Sequence, residues 1–186
     1  MRIIAGEHKG RNLKAVPGKA TRPTTDKVKE AVFQMMGPFF NGGNCLDLFA
    51  GSGSLGIEAI SRGMKHAIFV DNQNKAIQTI RENINQLKIA ERTEIYRTEA
   101  KNALRALEKR QLKFSLILLD PPYKKYAYED IIRTILRMGL LEENGFIYCE
   151  HDAAYQMPPI EPDLTIVKEA GYGTIGVTIY QKGTVI

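Results

Sequence analysis

The sequence predicts a doubly wound α/β fold. A mostly parallel sheet of seven strands carries helices on both faces and ends in an antiparallel hairpin, with a small N-terminal β-hairpin extension in front. Three observations lead there. Between residues 26 and 150, short apolar runs alternate with stretches of helical period, the pattern of a covered parallel sheet. The first central run, Cys45-Leu-Asp-Leu-Phe49, breaks into Gly51, Gly53 and Gly56 and restarts as a helix. In the last third, residues 164–168 and 174–181 are β-patterned with no helix between them for a crossover, so they must pair antiparallel.

Taken in order, residues 1–20 alternate apolar and basic side chains around glycines: Arg2-Ile-Ile-Ala-Gly6, then Arg11-Asn-Leu-Lys-Ala-Val16. Two short strands joined through His8-Lys9-Gly10 and ended by Pro17-Gly18 make a hairpin. Alone it is marginal, so it leans on the main domain or on a partner. The chain thus divides into an extension at 1–20 and one domain at 21–186, a size ordinary for a single core. Thr25 or Asp26 caps a helix whose stripe of Val28, Val32, Phe33 and Met36 reads as core, and Gly37-Pro38 stops it. The run ending at Phe49 is a strand buried on both faces. Helices follow at 54–62 and 74–88, then one after Thr98-Glu-Ala-Lys101 through Arg110, and one at 128–138. Strands lie between them at 66–71, 94–97, 114–119 and 146–150.

Hydrophobic residues at 44% and charged residues at 25% suit a soluble globular protein. No apolar run approaches the roughly 20 residues of a membrane helix, and Met1-Arg-Ile-Ile-Ala-Gly6 lacks the apolar core of a signal peptide. Cys45 and Cys149 sit in apolar strand-like runs and read as small core residues, so a cytoplasmic location is expected. His8, His66 and His151 are far apart in sequence, and no metal site is expected. Net charge is +5, and all of the excess lies near the start: eight Lys or Arg stand in the first thirty residues against Glu7, Asp26 and Glu30. That concentration makes Arg2, Lys9, Arg11, Lys14 and Arg22 candidates for binding nucleic-acid phosphates. Pro23 fixes the backbone before the helix, so Arg22-Pro23-Thr24 can line the same site.

A strand that breaks into glycines and restarts as a helix leaves backbone N–H groups facing a cleft that a ligand can approach closely. The spacing is G-x-G-x-x-G, and Asp71 follows about twenty residues on, where an acid holds ribose hydroxyls. A dinucleotide or another adenosine-containing cofactor fits this stretch equally. Asp47, four residues before the first glycine, tilts the choice, because a carboxylate there repels a pyrophosphate and suits a cation such as the sulfonium of S-adenosylmethionine.

Asp120-Pro121-Pro122-Tyr123 ends the fourth strand and so shares the cleft at the strand C-termini. Prolines leave rigid backbone with free carbonyls, Asp120 adds carboxylate oxygens, and Tyr123 adds a flat aromatic face. Acceptors beside an aromatic ring suit the exocyclic amino group of a nucleobase, with stacking contributing on the order of 1–3 kcal/mol. An aryl amine is a weak nucleophile, and acceptors on its hydrogens localise its lone pair. In-line placement of a methyl donor then supplies much of the rate. A base stacked in RNA must swing out to reach the cleft.

Together, Phe49-Ala50-Gly-Ser-Gly-Ser-Leu-Gly-Ile-Glu-Ala59, Asp71 and the Asp-Pro-Pro-Tyr motif resemble class I S-adenosylmethionine-dependent amino-methyltransferases. The N-terminal R-I-I-A-G-x-x-K-G-R-x-L and R-P-T-x-D-x-V-x-E-A-x-F patterns narrow the resemblance to the bacterial family that methylates N2 of a guanine in 16S ribosomal RNA. It implies S-adenosylmethionine as cofactor and 16S rRNA, within a small-subunit particle or assembly intermediate, as partner. It implies that Asp47, Phe49, Ala50, Gly51 and Gly53 cradle the methionine end of the cofactor, that Asp71 takes the ribose and that Asn72 flanks the adenine. Asp120, Pro121 and Tyr123 become the catalytic group. The loop after the third strand usually gives an Asp or Asn to the adenine; this chain has Thr98-Glu99-Ala100, so Glu99 and Ala100 are carried over there. The alternatives are a DNA adenine-N6 methyltransferase, a nicotinamide-dependent oxidoreductase, which leaves Asp-Pro-Pro-Tyr without a role, and a non-catalytic RNA-binding module.

Overall fold

The computed structural model describes residues 1–18, 25–122, 127–160 and 162–183. Its elements run α1 (Asp26–Met35), β1 (Asn44–Asp47), α2 (Ser54–Ser61), β2 (His66–Asp71), α3 (Asn74–Leu87), β3 (Thr93–Arg97), α4 (Ala100–Lys109), β4 (Phe114–Leu119), α5 (Tyr128–Arg137), β5 (Leu141–Asp152), β6 (Leu164–Tyr172) and β7 (Ile175–Lys182). They form one seven-stranded sheet in the order β3-β2-β1-β4-β5-β7-β6. The strands β1 to β5 pair in parallel, whereas β7 lies antiparallel between β5 and β6. The predicted seven-stranded, mostly parallel sheet with a terminal hairpin is present.

Alternation along each central strand splits the core in two. Cys45, Ala67, Phe69, Leu116 and Leu118 face the side covered by α1, α2 and α3. Leu46, Ile68, Val70, Ile117 and Leu119 face α4 and α5. A strand buried on both faces therefore shows an apolar run rather than an alternating one. Cys45 and Cys149 are free and buried. The Thr25 side chain caps α1 by accepting from the Val28 amide, and Val28, Val32, Phe33 and Met36 are all buried.

Three expectations need correction. The first central strand stops at Asp47 rather than Phe49, because the chain turns out of the sheet after the Leu48 amide reaches Leu118 O and returns to it through the Ala50 amide on Val70 O. The strand β5 starts at Leu141, earlier than residue 146, since Leu141 pairs with Phe114 ahead of a register shift. The N-terminal extension is not a regular two-stranded hairpin. It is an arm closed by a single antiparallel bridge, Arg2 with Asn12, and by the amides of Ile3, Gly10 and Leu13.

That arm is packed onto the body. Ile3 and Leu13 belong to the core beneath α1, α2 and α3. Gly6 lies so close to the end of α2 that a Cβ there would sit 1.8 Å from Ser61 O. The contact lets the Glu7 amide donate to that same carbonyl at 2.8 Å.

Candidate active site

Strand order reverses between β1 and β4, because β2 and β3 are added on one side of β1 and β4 on the other. Connections that leave adjacent strands in opposite directions open a crevice at their C-terminal ends, where open α/β sheets bind ligands. The glycine loop after β1, Asp71 at the end of β2, Glu99 after β3 and Asp120 after β4 all stand at that edge.

The loop is held from two sides by carboxyl groups. From beneath, Asp47 Oδ2 accepts from the Gly56 amide at 3.0 Å. Gly56 is required there, since a Cβ would lie 2.5 Å from the Phe69 ring and 3.1 Å from Asp47 Oδ2. Asp47 is buried, and desolvation pushes its carboxyl up to about 7, the Gly56 amide opposing this and the Asp71 charge adding to it. From the side, Asp71 Oδ2 accepts from the Gly51 amide at 2.9 Å and its Oδ1 from the Gln73 amide at 2.8 Å. Each oxygen keeps a second lone pair for a ligand hydroxyl. Gly53 caps α2 in the left-handed region, a conformation that glycine adopts without strain. A Cβ on Gly51 would meet no atom within 4 Å, so open space lies beside this backbone.

Asn72 and Glu99 meet at the far rim, where Asn72 Nδ2 donates to Glu99 Oε1 at 2.8 Å. Ala100, nearly buried, begins α4 beside them. Phe49 and Ala50 form the turn between β1 and the glycines.

Across the crevice, Asp120 follows β4 next to the end of β5, with Leu119 paired to Cys149. Burial pushes the Asp120 carboxyl well above the usual carboxylate range, and the neighbouring Glu150 and Asp47 groups push it further. Pro121 is buried and Pro122 is exposed. Glu150 is itself buried. Its Oε2 accepts from Tyr148 Oη at 2.8 Å, and its carbonyl accepts from Tyr128 Oη at 2.6 Å. Tyr123 lies outside the described residues, as do Arg22, Pro23 and Thr24.

The other basic candidates are exposed on the arm, and most already touch the body. Arg2 pairs with Asp26 at 2.7 Å and Lys14 with Glu82 at 2.9 Å, and Arg11 donates to Gln86 O at 3.4 Å. Such exposed pairs contribute little and exchange readily for phosphate.

Sequence reasoning missed the buried polar residues that fix the arm. Glu58, fully buried on α2, accepts from the amides of Ile4 and Ala5 and from Arg62 Nε. Lys29 faces the same carboxylate at 3.6 Å, and burial lowers its ammonium from the ordinary lysine range while Glu58 opposes the shift. Asn83 on α3 is also fully buried. The available signal was polar residues within apolar helical stripes: Glu58 between Ile57 and Ala59, and Asn83 before Ile84.

The comparisons with known proteins agree with this geometry. The model of the family described as conserved hypothetical protein 95 matches residues 1–181. Ribosomal RNA small subunit methyltransferase D of Haemophilus influenzae is 34% identical over 98% of this chain and 94% of its own length. Its namesake in Escherichia coli K12 is 30% identical over 98% and 90%. The chain belongs to their family. Within it, YlbH of Bacillus subtilis, provisionally named an rRNA methyltransferase, is 51% identical over 98% of this chain and 99% of its own. The solved structure of yhhF from Escherichia coli superposes with a TM-score of 0.84 at 30% identity, covering 98% of this chain and 97% of that one. The sheet order, the crevice and these neighbours make the fold that of a class I methyltransferase.

Proposed function

We propose that this protein transfers a methyl group from S-adenosylmethionine to the exocyclic N2 amino group of a guanine in 16S rRNA of the small ribosomal subunit. The observation that carries the reading is the placement of two unlike groups in one crevice. A glycine loop held by Asp47 and Asp71 faces an acceptor cluster at Asp120, in a chain whose family relatives are named as small-subunit rRNA methyltransferases. Those names also weigh against a DNA adenine-N6 substrate.

The residues present fit the cofactor. Asp71 retains acceptor capacity for ribose hydroxyls, open space lies beside Gly51 for the methionine end, and Asn72 with Glu99 and Ala100 bounds the adenine side. When bound, S-adenosylmethionine supplies a methyl group activated by its sulfonium. Asp120 and the carbonyl of Pro121 accept hydrogen bonds from the substrate amine, localise its lone pair and take up the charge that develops as its proton leaves. Tyr123 stacks on the base. Desolvation, with the neighbouring Glu150 and Asp47 carboxyls, makes Asp120 a stronger proton acceptor than a solvated aspartate. Residues 1–20 serve as the RNA-binding extension through Arg2, Lys9, Arg11 and Lys14, with Arg22, Pro23 and Thr24 adding to RNA binding, and 21–186 as the methyltransferase domain. The substrate is the RNA within a small-subunit particle or assembly intermediate.

The test is mass mapping of modified guanines in 16S RNA from cells lacking the protein, followed by methylation of that RNA by the purified protein. One N2-methylguanine is lost and then restored. An unchanged set of modified guanines overturns the reading.

A further inference from the structure

Two buried polar side chains join the arm to the glycine loop, and neither belongs to either segment. Asn83 on α3 donates from Nδ2 to Ser52 O at 3.0 Å and to Lys14 O at 3.1 Å, and its Oδ1 accepts from the Lys14 amide at 2.8 Å. Both donors of the amide are therefore spent, one on the loop and one on the arm. Lys29 on α1 donates to Arg2 O at 2.7 Å and to Ser54 Oγ at 3.0 Å. Ser52 and Ser54 flank Gly53, so the arm is tied to the loop near both of its ends. Both side chains are fully buried, and a bond broken there leaves a polar group with no water to replace its partner.

We propose that Asn83 is a positioning residue that couples the N-terminal arm to the cofactor loop. Displacement of the Ser52 carbonyl turns the Asn83 amide, and the amide cannot turn without releasing both backbone groups of Lys14. A loop stiffened by cofactor then stiffens the arm. By linkage, an arm held in place raises cofactor affinity by the same factor. Lys29 provides a second, independent tie. The inference rests on assigning the loop at residues 51–56 to the cofactor, and it requires no RNA.

Amide hydrogen exchange of the full chain, with and without S-adenosylhomocysteine, tests it. In the parent protein the ligand slows exchange at residues 51–56 and also at the amides of Ile3, Leu13 and Lys14. In Asn83→Leu, shown to be folded by thermal unfolding, a saturating ligand still slows the loop. The amides of Ile3 and Leu13 no longer respond, and affinity for the ligand falls about five-fold or more, the low end of typical coupling. Lys29→Met weakens the response at Ile3 from the other side, and it decides the matter if Asn83→Leu does not fold. An arm that ignores the ligand in the parent, or responds fully in the variants, overturns the coupling. A loop that ignores the ligand overturns the cofactor assignment and the coupling with it.

Discussion

Asp71 closes β2, Gly51 opens the loop after β1, and the Gly51 amide donates to Asp71 Oδ2 at 2.9 Å. One carboxylate thus shapes the glycine loop and keeps lone pairs for a ligand hydroxyl.

Asp71→Ala removes both contributions, and S-adenosylmethionine affinity should fall by roughly 1.5–3 kcal/mol, the usual effect of losing a charged acceptor. Calorimetric titration measures it. Parental affinity in the variant would remove Asp71 from the cofactor site.

Under the proposed mechanism activity should rise with pH well above the ordinary carboxylate range, because Asp120 would have to be ionised to accept from the amine and its surroundings favour the protonated form. Glu150→Gln removes a negative neighbour and lowers the Asp120 pKa, so the acidic limb of the rate profile should move to lower pH. Asp120→Asn should abolish turnover with cofactor binding retained. A limb unmoved by Glu150→Gln refutes this assignment of the titrating group.

The Asp47 carboxyl gives a stability signature of defined sign. An unfolded aspartate ionises near 3.9, whereas folded Asp47 holds its proton to about 7. Between those values the folded state binds more protons, so this group removes stability as pH rises from about 4 to 7, on the order of 4 kcal/mol in total. Asp47→Asn, which keeps an acceptor for the Gly56 amide, should resemble the parent near pH 4 and exceed it above pH 7. Urea unfolding at several pH values checks this, and parallel pH profiles for the two proteins would contradict it.

Replacing Lys9, Arg11 and Lys14 together by Ala should weaken binding to rRNA or small-subunit particles and flatten its dependence on salt, since fewer counterions are released. The arm should remain docked, because Asn83 holds the backbone of Lys14 rather than its side chain. An unchanged salt slope would return these cations to a solvated surface.

Sequence by itself determined the layered fold, the glycine loop, Asp71 and the Asp120 motif. Each rests on local information: period along the chain, the conformational freedom of glycine, and the position of an acid at a strand end. The turn that ends β1 at Asp47 and the early start of β5 were decided by hydrogen bonds to neighbouring strands, which no local pattern encodes. Tertiary structure alone also revealed what the polar core residues are for. Glu58, Lys29 and Asn83 carry no spacing signature, and their backbone partners lie 27 to 69 residues away. Likewise Asp120 gains its high proton affinity first from desolvation and then from Glu150 and Asp47, which come near it only when β1, β4 and β5 lie side by side. Desolvation is a property of the assembled sheet, and so the chemistry of that carboxyl is fixed by packing rather than by the motif that contains it.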